Sequence, residues 1–210
     1  MSTRGHQPGS DVVCWSHLRW HEGLQRPQQL MARFAQGRRV FFIEEPIDDD
    51  VSRLVARKEG GGVVVVEVHL ARGLGAQDRT AEAKGLIELL YAQEHIEAPI
   101  AWHTSPLLYE IARELPAVVV VYDAGPVLSA PPTSPELSEL EGELLTDADV
   151  VFASDSLDVA GRQHGNLYAL PSAEVDARSE WDQLFVEVRR IIDAALSAEP
   201  LRRLLDSLGA

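Results

Sequence analysis

At 210 residues, 45% of them hydrophobic and 25% charged, the chain has the length for one sizeable core and is too apolar for a disordered one. Nineteen basic against 33 acidic residues leave a formal charge of -14, a field that repels phosphate backbones and anionic lipids, so nucleic acid is not expected as a partner. A single cysteine, Cys14, excludes an intrachain disulfide, while the polar start and the lack of any apolar run near ~20 residues point to a cytoplasmic chain with no membrane span.

In chain order, Val12 to Ser16 reads as a strand, with Cys14 in its apolar run as a buried, inert thiol. A polar and aromatic loop follows, then a helix over Pro27 to Ala35 and a second strand over Arg39 to Ile43. The run Asp48, Asp49, Asp50 lacks the spaced ligands and glycine of a calcium loop and reads as a solvated acidic turn. Next come a strand from Val63 to Val68, a helix from Ala81 to Gln93, a strand from Ile100 to His103 and a helix from Pro106 to Arg113. Ala117 to Tyr122 and Val150 to Ala153 read as strands, Pro135 to Leu145 and Asp155 to Gln163 as helices, and Leu167 to Leu170 as a seventh strand. Proline opens several helices because the first helical position needs no amide donor. Trp181, Leu184, Phe185, Val188, Ile191, Ile192 and Ala195 recur at steps of three and four, so a last amphipathic helix is expected, ended by Pro200, with a short terminal helix over Leu201 to Leu208.

Short β-branched strands alternating with helices are the signature of a parallel sheet with crossover helices, and continuous apolar runs such as Val118 to Val121 demand cover on both faces. The expected fold class is therefore α/β: a doubly wound, mainly parallel, Rossmann-like sheet flanked by helices, with the C-terminal helix packed back on it.

In such sheets ligands collect beyond the carboxyl ends of the strands, near the point where strand order reverses. The first loop lacks G-x-G-x-x-G and G-x-x-x-x-G-K-[ST], so no nucleotide cofactor of the usual kind is expected. In their place His17, Arg19, Trp20 and Arg26 offer hydrogen bonds and a stacking face for hydroxyls or a phosphate, although Trp20 serves equally as a lid over the sheet edge and Arg19 as a salt-bridged surface residue. Glu44 follows the second strand, where an acid can accept from sugar hydroxyls or cap a loop. Glu45 and Thr104 lie at the same rim, and Arg19, Trp20 and Glu45 are expected to line one cleft. His103 and Asp123 end neighbouring strands; they form an acid/base pair if a substrate bridges them, or each merely satisfies loop amides. His17, His21 and Glu22 lack the H-E-x-x-H order, so no metal site is expected.

Three blocks occur in order: Cys14 to Trp20, then Gln25, Arg26, Pro27, Gln28, Gln29 and Leu30, then Val40, Phe41, Phe42, Ile43, Glu44, Glu45 and Pro46. They resemble the opening of bacterial GT-B glycosyltransferases of the teichuronic-acid and group-1 type. Trp102 to Pro106, Val121 to Asp123, Glu143 to Phe152 and Asn166 to Ser172 add to the likeness, whereas Ala124 to Val127 replace acidic and polar residues of the family's pattern. The resemblance implies a first, acceptor-side domain over residues 1-172 and a helical extension, 173-210, packed on it. Only 38 residues follow Ser172 (210 minus 172), too few for a second doubly wound domain of ~150 residues, so the nucleotide-sugar domain is expected to be missing. On this reading the chain binds a sugar or glycan acceptor and is not catalytic alone. It works with a separate donor-domain protein, or else is a non-catalytic interaction protein that uses the former interdomain face for a partner or a homo-oligomer.

Overall fold

A computed structural model describes residues 11–23, 25–124, 134–153, 165–170 and 178–209. Its elements run β1 (Asp11–Ser16), α1 (Arg26–Phe34), β2 (Arg39–Glu44), β3 (Ile47–Asp49), β4 (Arg53–Lys58), β5 (Val63–Ala71), α2 (Ala76–Glu94), β6 (Ile100–His103), α3 (Tyr109–Ala112), β7 (Val119–Ala124), α4 (Pro135–Asp147), β8 (Val150–Ala153), β9 (Leu167–Ala169) and α5 (Arg178–Gly209). The expected helix over Asp155 to Gln163 and the substituted block Gly125 to Val127 lie outside the described residues.

Nine strands form one sheet in the order β5, β2, β1, β6, β7, β8, β9, with β3 and β4 flanking β5. Every pairing is parallel except β4 on β5. The chain leaves β1 in one direction to build β2 and β5, then crosses back to place β6 on its other side, so the order reverses between β1 and β6. That is the predicted doubly wound α/β architecture, and its reversal point fixes where a crevice opens.

Alternation along the strands divides the core in two. On one face Val12, Cys14, Val40, Phe42, Trp102, Val121 and Phe152 pack with Leu30, Met31 and Phe34 of α1 and with Val188, Ile191 and Ile192 of α5. On the other, Val13, Trp15, Phe41, Ile43 and Val66 meet Ala83, Ile87, Leu90 and Tyr91 of α2 and Ile111 and Ala112 of α3. Tyr122 and Val151 continue that face onto Leu144 of α4. Phe34 stands edge-on to both Trp102 and Phe185, at 5.8 and 4.9 Å, and so ties α1 to the sheet and to α5. Arg33–Asp182 at 2.9 Å and Arg38–Asp193 at 3.1 Å flank this seam.

Helix starts follow the proline reading. Ser105 and Ser134 accept from the amides of Leu107 and Leu137, each at 3.2 Å, ahead of Pro106 and Pro135. Two departures are the short strands β3 and β4, neither of them expected. Ile47–Asp49 is a strand and not a turn, while Asp48 and Asp50 are solvent-exposed as expected and the acids are paired: Asp48 with Arg79 at 2.5 Å, Asp49 with His69 at 2.7 Å, and Asp50, just past the strand, with Arg72. The register against β5 slips by one residue between Val40↔Val63 and Ile47↔His69, at the step that holds Pro46, which has no amide to give the ladder. A third departure is Pro200, which lies inside α5 instead of ending it.

Candidate functional site at the carboxyl rim

The crevice between β1 and β6 is closed at its base by two contacts. Thr104 donates its amide to the Trp15 carbonyl at 3.1 Å, and its hydroxyl sits 3.3 Å from His17 Nδ1. Beside it Ser16, fully buried, folds the chain back by accepting from the Leu18 amide at 3.0 Å and donating to the Leu18 carbonyl at 3.1 Å. Burial pushes the His17 imidazole below its ordinary value, with Glu22 pulling weakly the other way. The ring is thus neutral at pH 7, with one nitrogen to donate and one to accept.

Glu44 organises the next turn. Its two oxygens take the Arg19 guanidinium at 3.0 Å and the Trp20 amide at 2.8 Å, and its side chain is 3% exposed. The carboxylate therefore caps the short 3-10 turn Trp20–Glu22 and is spent on the loop, not open to a sugar. Gln28 of α1 donates to the Arg19 carbonyl at 3.1 Å, and Trp20 stands edge-on to Phe42 at 5.1 Å. Arg19 keeps 29% of its side chain exposed, so it is anchored at one end and available at the rim. Ser16 and Gln28 are positioning residues that sequence reasoning did not single out; the signal for Gln28 was a polar side chain on the buried side of α1.

Arg26 and Asp123 meet at 2.5 Å with side chains 5% and 1% exposed. Burial pushes the Asp123 carboxyl up, and the Arg26 guanidinium pulls against it. The Trp102 indole dipole favours the carboxylate but falls short of hydrogen-bond geometry with its second oxygen. His103 is equally buried, stacked parallel on Trp15 at 6.1 Å and edge-on to Tyr109 at 5.3 Å, and burial drives its pKa down to about 3. The register His103↔Tyr122 sends Asp123, one residue on, to the opposite face of the sheet. An acid/base pair of His103 and Asp123 is therefore not assembled.

The same alternation separates Glu45 from Trp20. Arg19 and Trp20 meet on Glu44, whereas Glu45 turns to the α2 and α3 side and lines a cleft of about 310 Å³ with Pro46, Leu70, Arg79, Thr80 and Leu108. The single cleft expected for Arg19, Trp20 and Glu45 is thus two adjoining sites. Burial raises the Glu45 carboxyl, Arg19 opposing. His21 turns outward, its Nε2 at 3.1 Å from Arg57 and 3.6 Å from Glu59.

The fold has known counterparts. A sucrose-phosphate synthase chain from Thermosynechococcus elongatus matches with a TM-score of 0.56 at 11% identity, over 86% of this chain and 96% of that one. A longer chain of the same synthase matches at 0.53 and 12% identity, over 77% of this chain and 47% of that one. An α,α-trehalose-phosphate synthase (UDP-forming) from Burkholderia vietnamiensis aligns at 0.45 and 13% identity, over 79% and 48%. No family model and no curated protein sequence matches the chain. The architecture is an α/β Rossmann-like fold shared with the sucrose-phosphate synthase chains, and the chain spans about half the length of the longer one, 47%. Among the described residues no helix is long and apolar enough to cross a membrane.

Proposed function

We propose that this chain is a glycosyltransferase-like domain of sugar or cell-envelope polysaccharide metabolism, which holds an acceptor or sugar ligand on its carboxyl rim and does not transfer sugar alone. One observation carries the reading: at the order reversal between β1 and β6 the half-buried His17, Arg19 and Trp20 gather at the rim, with the buried Thr104 hydroxyl donated to the Trp15 carbonyl at 3.2 Å and set beside His17. These groups suit a polyol. A neutral imidazole exchanges hydrogen bonds with sugar hydroxyls, a tethered guanidinium takes a hydroxyl or phosphate oxygen, and an indole packs on a ring's C–H face. The likeness of Cys14 to Trp20, Gln25 to Leu30 and Val40 to Pro46 to the teichuronic-acid and group-1 type supports the same class.

Catalysis by these residues has no support in the site. Glu44 is engaged, and His103 and Asp123 are sealed in the sheet on opposite faces. Arg19, the guanidinium described at the rim, is already neutralised by Glu44, so on this reading stabilising a departing nucleotide calls for a donor-binding partner chain.

A thermal-shift screen with sugar phosphates, free saccharides and sugar nucleotides tests the reading, because a ligand selective for the folded state raises its melting point. The expected result is stabilisation by at least one saccharide or sugar phosphate, reduced in Arg19→Ala, with no nucleotide released from any sugar nucleotide. No stabilisation across the panel, or turnover by the chain alone, contradicts it.

A further inference from the structure

β4 closes one edge of the sheet: it pairs with β5 alone, antiparallel, in the register Arg53↔His69 to Lys58↔Val64. The hairpin between them fixes which backbone groups of β4 point outward. Glu59 donates its amide to the Val63 carbonyl at 2.8 Å, which makes these two a hydrogen-bonded pair, and such pairs alternate with open ones along an antiparallel ladder. Arg57, Val55 and Arg53 therefore turn their amides and carbonyls to β5. Those of Lys58, Ala56 and Leu54 face away from it and meet no other strand among the described residues.

We propose that this edge pairs with the same edge of a second copy of the chain, antiparallel about a two-fold axis at Ala56. Exposed edges are ordinarily guarded by charged side chains. Here the guards are answered from within the chain, Arg53 by Asp49 at 2.7 Å and Arg57 by Glu67. With Ala56 opposite itself, Leu54 comes opposite Lys58, Val55 opposite Arg57 and Arg53 opposite Glu59, and the outward amides and carbonyls all find partners. The charges set directly opposite each other are then of opposite sign. Arg53 keeps 48% of its side chain exposed and Glu59 keeps 23%, so both have surface left for the contact.

Packing agrees with this register. Ala56 is exposed and small enough to meet its own copy, while Leu54, which packs on the α2 side, and Val55 receive the aliphatic stems of Lys58 and Arg57 of the second copy. Other registers within the strand do worse. Centred on Val55, Arg53 faces Arg57; centred on Arg57 or Lys58, that cation faces itself; centred on Leu54 or Arg53, Ala56 and Lys58 pass the end of the facing strand. An extended segment of another protein fits the backbone groups alone, whereas a second copy also supplies Glu59 against Arg53.

A strand of six residues spans about 20 Å, so the association is expected to be weak and to depend on concentration. Sedimentation equilibrium of the full chain tests it up to about 1 mM, at about 0.15 M salt to screen the charge of -14 on each copy. Dimers are expected, with hydrogen exchange at the amides of Leu54, Ala56 and Lys58 slowing as concentration rises while Val55 and Arg57 do not change. Ala56→Pro removes an amide that β5 does not use and is expected to leave a monomer with its melting point nearly unchanged. Arg53→Glu and Glu59→Arg each set like charges opposite and are expected to weaken association at least about fivefold, whereas an equimolar mixture of the two restores it because each copy then faces its complement. A monomer throughout the series, a dimer that survives Ala56→Pro, or a mixture no stronger than its components overturns the proposal. Because β5 and β2 separate β4 from β1, that failure leaves the saccharide reading of the rim standing.

Discussion

His103 and Arg26 show how far the surroundings of a side chain, and not its type, decide what it can do. A His103 that stays neutral in the fold until about pH 3 meets an unfolded counterpart that protonates near 6.5, so folded stability falls as pH drops through that window. The full loss approaches roughly 5 kcal/mol at the low end. His103→Phe, which keeps a ring against Trp15, is expected to flatten the acid limb of a urea-unfolding series between those two values; an unchanged limb contradicts the assignment. Asp123 acts in the opposite sense. Its raised carboxyl contributes most at low pH and loses that contribution as pH rises above the ordinary 3.8. Arg26→Ala strands this carboxylate in the core and is expected to cost about 3–5 kcal/mol at pH 7, read from the same unfolding experiment. The residue types at the rim were legible in the sequence, since loops after strands can be located from periodicity. The facing of Glu45 against Trp20, and of His103 against Asp123, was not. It depends on register, and a shift of one residue exchanges the two faces.

Glu44 and α5 carry the element-level argument. Glu44 holds the first loop by a guanidinium and an amide, so Glu44→Gln keeps the size while removing the charge that Arg19 answers. Faster hydrogen exchange at Trp20 to Glu22 with little change in global stability is the expected outcome, and unchanged exchange contradicts it. For α5, the stripe read at steps of three and four is the face that meets α1 and the sheet, with Val188 and Ile192 at 0% exposure. Ile192→Ala is expected to cost about 2–5 kcal/mol in urea unfolding, a cost that a helix detached from the core would not show. The six main strands and the last helix were legible because apolar runs and apolar stripes report burial directly. β3 and β4 were not, because an edge strand buries little and its acids and arginines pair with one another instead of entering a core, as Asp49 does with Arg53 at 2.7 Å. Pro200 misled for a related reason. A proline forbids one hydrogen bond but does not oblige a helix to stop.

Over the whole molecule, doubly wound topology brings together residues distant in sequence: Ser16 to Trp20, Glu44 and Thr104 meet because β1 lies between β2 and β6. Among the described residues, the large hydrophobic side chains left exposed, Val51, Leu89, Leu107 and Val186, lie far apart in the chain and are ordinary for a protein surface. A charge of -14 makes the rim cation Arg19 a local exception, which favours neutral or singly phosphorylated saccharides over polyanions. Salt is expected to strengthen binding of a sugar phosphate by screening that field; weakening with salt would place the anion against a stronger basic site than the rim provides. The central claim is that a saccharide sits at the β1–β6 crevice, and amide chemical-shift mapping with a saccharide found by thermal shift tests it most directly. The account predicts saturable shifts confined to Ser16 through Glu22 and Thr104 to Ser105, lost in His17→Ala; shifts that fall elsewhere, or that survive this substitution unchanged, contradict it.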